Sequence, residues 1–332
     1  MADFPYKKKF IPYNPKKFIK DLHEFILFPV NQKLKEQLIK ENKLTPYLGP
    51  QFNSEKYAII QESYYRLNHI NIITDLFQEE ERVKCRFENY PSPLQFWINN
   101  KNKIKEFAKK KFEGRVNDFT LRESISMLNK ECTLFYITTV ITLLRKFKVK
   151  RWLDMSAGWG DRLIGAIAAK VKYVATDPNI NLHKNYKKII DALEPYKKLR
   201  SNYILIPSGF ENAILPKNLT YDFIFTSPPF YDKEIYSDNL DDSLIKYRTL
   251  EEWIEKFLLY SIKKGWELLE KNGHYLIYIR DKIKGKKLNY VNIMIDYINK
   301  EMKGSKYLGQ IYFFRKSGIK KPRGIHVWKK IS

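Results

Sequence analysis

The segment Tyr221-Asp222-Phe223-Ile224-Phe225-Thr226-Ser227-Pro228-Pro229-Phe230 runs an apolar strand into a rigid diproline backed by an aromatic residue. That combination suits an amino group carried on an aromatic ring. Such a nitrogen is a poor nucleophile because its lone pair is delocalised into the ring, so a site that makes it react must hold its hydrogens, localise the lone pair and aim it at an electrophile. Ser227 Oγ and the Pro228 carbonyl can accept the two hydrogens, Pro228 and Pro229 fix the direction of that carbonyl, and Phe230 can stack on the ring. The arrangement requires no metal and no strong base. Tyr231, Asp232, Glu234 and Tyr236 follow at once and can shape a pocket entrance. In isolation Ser-Pro-Pro after a strand is an acceptable loop in any protein, so its meaning depends on what lies upstream.

Upstream lies Leu153-Asp154-Met155-Ser156-Ala157-Gly158-Trp159-Gly160-Asp161-Arg162. Gly158 and Gly160 remove side chains where a strand must turn tightly into a helix and where a ligand can approach the backbone. Asp154 can then accept from an amino or ammonium group. Asp177 ends the next strand, close to the spacing of roughly 20 residues at which an acid meets ribose hydroxyls in nucleoside-binding units. Asp177-Pro178-Asn179 alone is simply a good turn. Together the two segments point to a nucleoside held at the carboxyl edge of a sheet.

The elements that must position these residues are legible from residue 151 onward, where short apolar runs bounded by Gly, Asp or Pro alternate with amphipathic segments. The pattern predicts strands over 151–154, 173–176, 203–207, 223–226 and 274–279, and helices over 162–169, 184–193 and 250–269. A helix over 290–302 precedes two further strands, 309–315 and 324–329, joined by a basic Gly/Pro segment and predicted to form an antiparallel hairpin at a sheet edge. Before residue 151 the chain reads as amphipathic stretches, such as 18–27, broken by Pro and aromatic clusters such as Pro91-Ser92-Pro93. Near-helical spacing of apolar residues over 121–147 predicts one buried helix leading into the second part.

Composition narrows the class. With 44% hydrophobic residues, 21 Phe, 23 Tyr and 6 Trp, the 332-residue chain is too apolar to be disordered and long enough for a catalytic domain plus an extension. The 61 Lys and Arg outnumber the 37 Asp and Glu, a formal net charge of +24 that favours a polyanionic partner, although a general preference for surface Lys produces the same excess. No run of 18 apolar residues occurs, and residues 1–10 are basic and aromatic without the apolar segment of a signal peptide, which predicts a soluble intracellular protein without membrane attachment. Cys85 and Cys132 lie far apart in sequence and without nearby ligand clusters, and the five histidines are scattered, so no metal site, disulfide or catalytic histidine is expected.

The two motifs together make the chain resemble the class I S-adenosylmethionine-dependent amino-methyltransferases, the DNA N6-adenine and N4-cytosine methylases and their relatives acting on RNA. The resemblance covers roughly residues 121–330. Asp154 to Gly160 matches the cofactor loop, with Ser156 where the commonest form has a first glycine, and Ser227-Pro228-Pro229-Phe230 matches the catalytic motif. The resemblance implies an α/β, Rossmann-like class I methyltransferase fold, a mostly parallel seven-stranded sheet with a C-terminal antiparallel hairpin, preceded by a mainly helical extension. It places Asp154, Gly158 and Gly160, with Ser156 and Trp159 of the same loop, along the methionine portion of S-adenosylmethionine. Asp177 falls at the ribose, Phe210 or Glu211 at the adenine ring, and Pro178 is counted with them as cofactor-binding. The implied partner is nucleic acid, methylated at adenine N6 or cytosine N4. A serine heading the diproline motif is commoner among N4-cytosine members, yet those often carry the catalytic motif first, so the base stays open. Completing the sheet uses up residues 231–332, which leaves recognition to the extension, residues 1–120, ahead of a methyltransferase domain over 121–332. Methylation of a protein glutamine amide, and an inactive nucleic-acid-binding protein of the same fold, are the alternatives.

Overall fold

A computed structural model describes residues 3–12, 14–25, 32–49, 52, 56–62, 68–231, 233–236, 240, 242–283, 286–315 and 322–332. Its centre is an eight-stranded sheet built from β1 (Ala58–Glu62), β3 (Arg151–Asp154), β4 (Lys172–Thr176), β5 (Tyr203–Ile206), β6 (Tyr221–Thr226), β8 (Leu269–Ile277), β11 (Ser305–Arg315) and β12 (Arg323–Lys330). Two-residue ladders join β2 (Arg86–Phe87) to β7 (Glu234–Ile235) and β9 (Lys282–Ile283) to β10 (Lys286–Lys287).

The order across the large sheet is β1-β11-β12-β8-β6-β3-β4-β5. All neighbours are parallel except at β12, which runs against both β8 and β11. This is the parallel α/β sheet with a C-terminal antiparallel pair predicted from the alternating pattern, and the Rossmann-like architecture that the resemblance implies; residues 316–321 of the expected connection lie outside the described residues. From β3 the chain moves outward through β4 and β5, then returns to lay β6 on the other side of β3. The loops after β3 and β6 therefore diverge, and a crevice opens beyond their carboxyl ends.

Three differences from the sequence reading lie ahead of β3. The sheet gains an eighth strand from the extension, because the apolar run Ala58-Ile59-Ile60 pairs with β11 in parallel, Ala58 opposite Ile311 through Glu62 opposite Arg315. The helix expected over 18–27 forms over Pro15–His23, and residues 26 and 27 lie outside the described residues. The single helix expected over 121–147 is two, Asp118–Leu128 and Ile137–Lys146. Polar tertiary contacts overrule the periodicity there: Glu131 accepts from Arg122 Nη2 at 2.6 Å and Arg82 Nη1 at 2.9 Å, and Phe135 N donates to Asp161 at 3.1 Å. The Pro91-Ser92-Pro93 break starts a helix, Pro93–Lys111, with Ser92 Oγ accepting from Gln95 N and a proline in the first turn, where its missing N–H costs nothing.

Aromatic packing makes the middle of the sheet rigid. Trp152, fully buried, stacks on Phe225 at 6.0 Å between ring centroids and donates from Nε1 to the Phe225 carbonyl at 2.9 Å, which locks β3 to the end of β6. Among the described residues no helix is long and apolar enough to cross a membrane.

Candidate active site

Four strands deliver their following loops to one edge. After β3 the chain turns through Gly158 (φ 60°) and Gly160 (φ 94°), both in the left-handed region that favours glycine. A Cβ on Gly160 would also stand 2.9 Å from Ile189 Cδ1 and force that side chain's end to move, whereas one on Gly158 would meet nothing nearer than Arg162 at 3.7 Å. After β4 comes Asp177, whose carboxylate accepts from Gly158 N at 2.9 Å and Asn179 N at 3.0 Å, tying the two loops together. Tyr186 OH donates to the Gly158 carbonyl from the opposite side. After β5, the loop with Gly209, Phe210 and Glu211 is pinned by Lys264 Nζ, which donates to the carbonyls of Phe210 (2.7 Å) and Ala213 (2.8 Å). After β6 comes Ser227-Pro228-Pro229-Phe230, aligned by Tyr278 N donating to the Thr226 carbonyl at 3.0 Å.

These loops enclose one cavity of about 240 Å³, lined by Ser156, Gly158, Trp159, Asp177, Pro178, Phe210 and Glu211 on one side and by Ser227, Pro229 and Phe230 on the other. Three of the expected residues stand behind the wall. Gly160 packs on Tyr186 and Ile189, and Pro228 is buried. Asp154 is fully buried and already accepts from Arg162 Nε (2.6 Å), Tyr173 OH (2.7 Å) and Ser156 N (3.2 Å), so it orients Arg162 and the glycine loop. Of the expected entrance residues, Glu234 and Tyr236 line the cavity. Tyr231 turns away to donate to the Arg248 carbonyl and pack on Trp253, and Asp232 lies outside the described residues.

Burial dominates the electrostatics. It pushes the Asp177 carboxyl up to about 7 against the two backbone N–H groups it accepts from, Asn179 then Gly158. It likewise pushes Asp161, which accepts from Thr74 Oγ1 and Phe135 N, up to about 7. Glu234 is raised by burial against a hydrogen bond from Tyr236. Arg162 would be lowered by burial, but Asp154 outweighs that and holds it above its ordinary value. Glu211 Oε1 receives Tyr247 OH (3.2 Å) and Lys246 Nζ (3.3 Å), while Oε2 is buried without a partner among the described residues.

Several wall residues carried no readable signal in the sequence. Residues 133–136 reach the cavity only because the expected helix is broken there, and Phe87 only because β2 pairs with β7. Lys233, Arg280 and Arg323 also line it, single cations in a chain full of them. The two cysteines, remote in sequence, are both buried and meet: hydrogen bonding with Cys85, then burial, raises the Cys132 thiol well above its ordinary value. Cys85 Sγ donates to the Tyr236 carbonyl at 2.8 Å, on the cavity's rim.

No protein-family model matches the chain, and no curated protein does. Among solved structures it is similar to an rRNA methylase from Streptococcus thermophilus, with 15% identity over 59% of this chain and 96% of that one and a TM-score of 0.40. It is also similar to a methyltransferase from Pyrococcus furiosus, with 18% identity over 60% of this chain and 84% of that one and a TM-score of 0.40. A third is the N-methyltransferase NodS from Bradyrhizobium japonicum, with 10% identity over 59% and 94% and a TM-score of 0.37. Likeness of this order does not decide an activity, because one fold hosts many chemistries.

Proposed function

We propose that the chain transfers a methyl group from S-adenosylmethionine to the exocyclic amino nitrogen of adenine or cytosine in DNA or RNA. The observation that carries this reading is that the glycine loop and the Ser-Pro-Pro-Phe segment, motifs suited to two different ligands, open into a single cavity.

The donor set on the first side fits the cofactor. Asp177 keeps carboxylate lone pairs beyond those given to Gly158 and Asn179, suited to ribose hydroxyls. The unpartnered Glu211 Oε2 suits the amino group of an adenine, and Phe210 an aromatic face. Gly158 leaves its backbone open to close approach, with Ser156, Trp159 and Pro178 around it. When bound, the cofactor supplies an electrophilic sulfonium methyl group.

On the second side, Ser227 Oγ, which has no partner among the described residues, accepts one hydrogen of the target amine. Pro228 itself is buried behind the wall, so in this reading its carbonyl reaches the other hydrogen through the peptide it shares with the cavity-lining Pro229. Both acceptors draw the nitrogen's lone pair out of the ring, and Phe230, mostly buried but lining the cavity, packs against the base. Asp154 and Gly160 act as positioning residues behind the loop. A base must leave its stack to enter, which favours unpaired or flipped nucleotides. Residues 1–120 serve acceptor recognition in this reading, through Phe87 at the wall and the exposed Lys103, Lys105, Lys109, Lys110 and Lys111 of the Pro93–Lys111 helix.

Incubation with methyl-labelled cofactor and separate pools of duplex DNA, single-stranded DNA, capped RNA, uncapped RNA and unrelated protein, followed by nucleoside and amino-acid mass analysis, tests this. N6-methyladenine or N4-methylcytosine is the expected product. Label in glutamine, or in no polymer, overturns it.

A further inference from the structure

We propose that Lys233, Arg280 and Arg323 form a phosphate subsite on the acceptor side of the cavity, gripping a phosphodiester beside the reacting base; this rests on the acceptor reading given above. The three cations come from three separate segments, the loop after β6, the loop after β8 and the start of β12, yet all line the cavity that Ser227 and Phe230 line. Each is set against a ring of one continuous aromatic wall. Lys233 Nζ lies 5.2 Å from the centroid of Phe230 and 5.5 Å from that of Phe87. Arg280 Cζ lies 5.8 Å from Tyr278, and Arg323 Cζ lies 6.0 Å from Phe313. The rings themselves touch in sequence, Phe230 to Tyr278 at 5.8 Å and Tyr278 to Phe313 at 5.2 Å.

Elsewhere the fold neutralises its buried guanidinium groups with carboxylates: Arg82 with Asp75, Arg122 with Glu79, Arg162 with Asp154. Lys233, Arg280 and Arg323, all partly buried, have no ion-pair partner among the described residues. Glu234 and Glu88 act on Lys233 from a distance, while burial first and the two arginines after it work against its charge. Three like charges held together out of bulk water are costly unless an anion joins them. Guanidinium forks match phosphate oxygens in pairs, and interleaved rings suit the bases on either side of a phosphodiester better than they suit an acidic peptide.

Anisotropy titrations test the subsite with labelled mixed-sequence DNA and RNA pentamers, each made once with phosphodiester and once with uncharged methylphosphonate linkages. Variants R280Q/R323Q, K233Q, R280K/R323K and K197Q/K198Q of the full chain are compared. Lys197 and Lys198 are exposed in a short helix that leads into the start of β5, away from the carboxyl ends that open into the cavity, and so control for general loss of charge. R280Q/R323Q should weaken phosphodiester binding about 10-fold or more and reduce the salt slope by about two, leaving methylphosphonate binding unchanged. R280K/R323K should keep part of the affinity, and K197Q/K198Q should alter it less than about twofold. If the double glutamine variant misfolds by circular dichroism, K233Q, on a loop, reads the same site. Equal weakening by R280Q/R323Q and K197Q/K198Q, no weakening in a folded R280Q/R323Q or K233Q chain, or displacement of the pentamers by a hexaglutamate peptide at lower concentration overturns the subsite. A chain that shows the expected pentamer differences but transfers no methyl group overturns the reaction and leaves the subsite standing. Methylated nucleosides without pentamer differences do the reverse.

Discussion

Asp177 and Asp161 both face the cavity as carboxyls raised to about 7, burial being the first cause in each. An acid raised in the folded state contributes stability that is fully present below its ordinary value, 3.8 here, and lost as pH climbs through the folded value. Both groups therefore cost stability above neutrality, a cost that a ligand donating hydroxyls to Asp177 offsets by favouring the ionised form. S-adenosylhomocysteine should bind more tightly as pH rises from about 6 to about 8, releasing a proton that calorimetry in buffers of different ionisation heat detects. Asp177→Ala should weaken binding by roughly 10-fold and flatten the pH dependence. Unchanged affinity in that variant removes Asp177 from the nucleoside site. Ser227 separates chemistry from binding. In the proposed reaction its hydroxyl meets a nitrogen that gains positive charge, and a hydrogen bond to a charged group is worth roughly 1.5–3 kcal/mol, so Ser227→Ala should cut turnover about 10- to 100-fold. Cofactor affinity should stay within about twofold; loss of both together assigns the serine to structure instead.

The helix that starts at the glycine loop, Asp161–Ala169, is held by an unusually close neighbour. A Cβ on Gly165 would stand 2.4 Å from Val140 Cγ1 on Ile137–Lys146 and 2.8 Å from Val140 Cβ, and the second contact no rotamer change relieves. Gly165→Ala should cost roughly 1–3 kcal/mol, read as a lower denaturant midpoint at constant slope. Adding Val140→Ala should recover part of the loss, and strict additivity of the two changes would refute the contact. Elements of this kind mark the limit of what the chain reveals by inspection. Strands β3 to β6 and the helices between them are legible because each is a local pattern, and the two motifs because each is contiguous. The break over 129–136 is not, since it is imposed by Arg82 and Asp161 from other segments. Nor is β1, whose partner β11 lies at the far end of the chain. Asp154 looks like a ligand-facing acid in sequence because nothing local tells that Arg162 and Tyr173 have taken its oxygens. The meeting of Cys85 with Cys132, and of Lys233 with Arg280 and Arg323, is likewise a product of topology.

At the scale of the whole molecule, the Asp75–Arg82 helix is tied to residues 122–131 through a buried ionic network. Asp75, Glu79 and Arg82, from the Asp75–Arg82 helix, meet Arg122 and Glu131. Arg82 makes a two-bond fork with Asp75, both contacts at 2.8 Å, and its Nη1 also donates to the Cys132 carbonyl at 3.0 Å. That carbonyl immediately precedes residues 133–136 of the cavity wall, so the extension sets the wall's position. Burial alone would raise Glu131, but Arg82 and then Arg122 hold it well below its ordinary 4.5. Its contribution is therefore present above that pH and lost as pH falls below it, while Glu79, raised by burial and by Asp75, runs in the opposite sense and offsets part of it. Arg82→Leu leaves Asp75 and Glu131 short of their shared cation, and breaking a buried pair in this way should cost about 3–5 kcal/mol at neutral pH. The loss should shrink as pH falls below about 4.5, because protonated Glu131 no longer needs the partner. S-adenosylhomocysteine affinity should fall with it, since the wall that begins after Cys132 loses its anchor. A loss below about 1 kcal/mol in urea unfolding, or full cofactor affinity in the variant, would mean that the Asp75–Arg82 helix packs beside the cavity wall without fixing it.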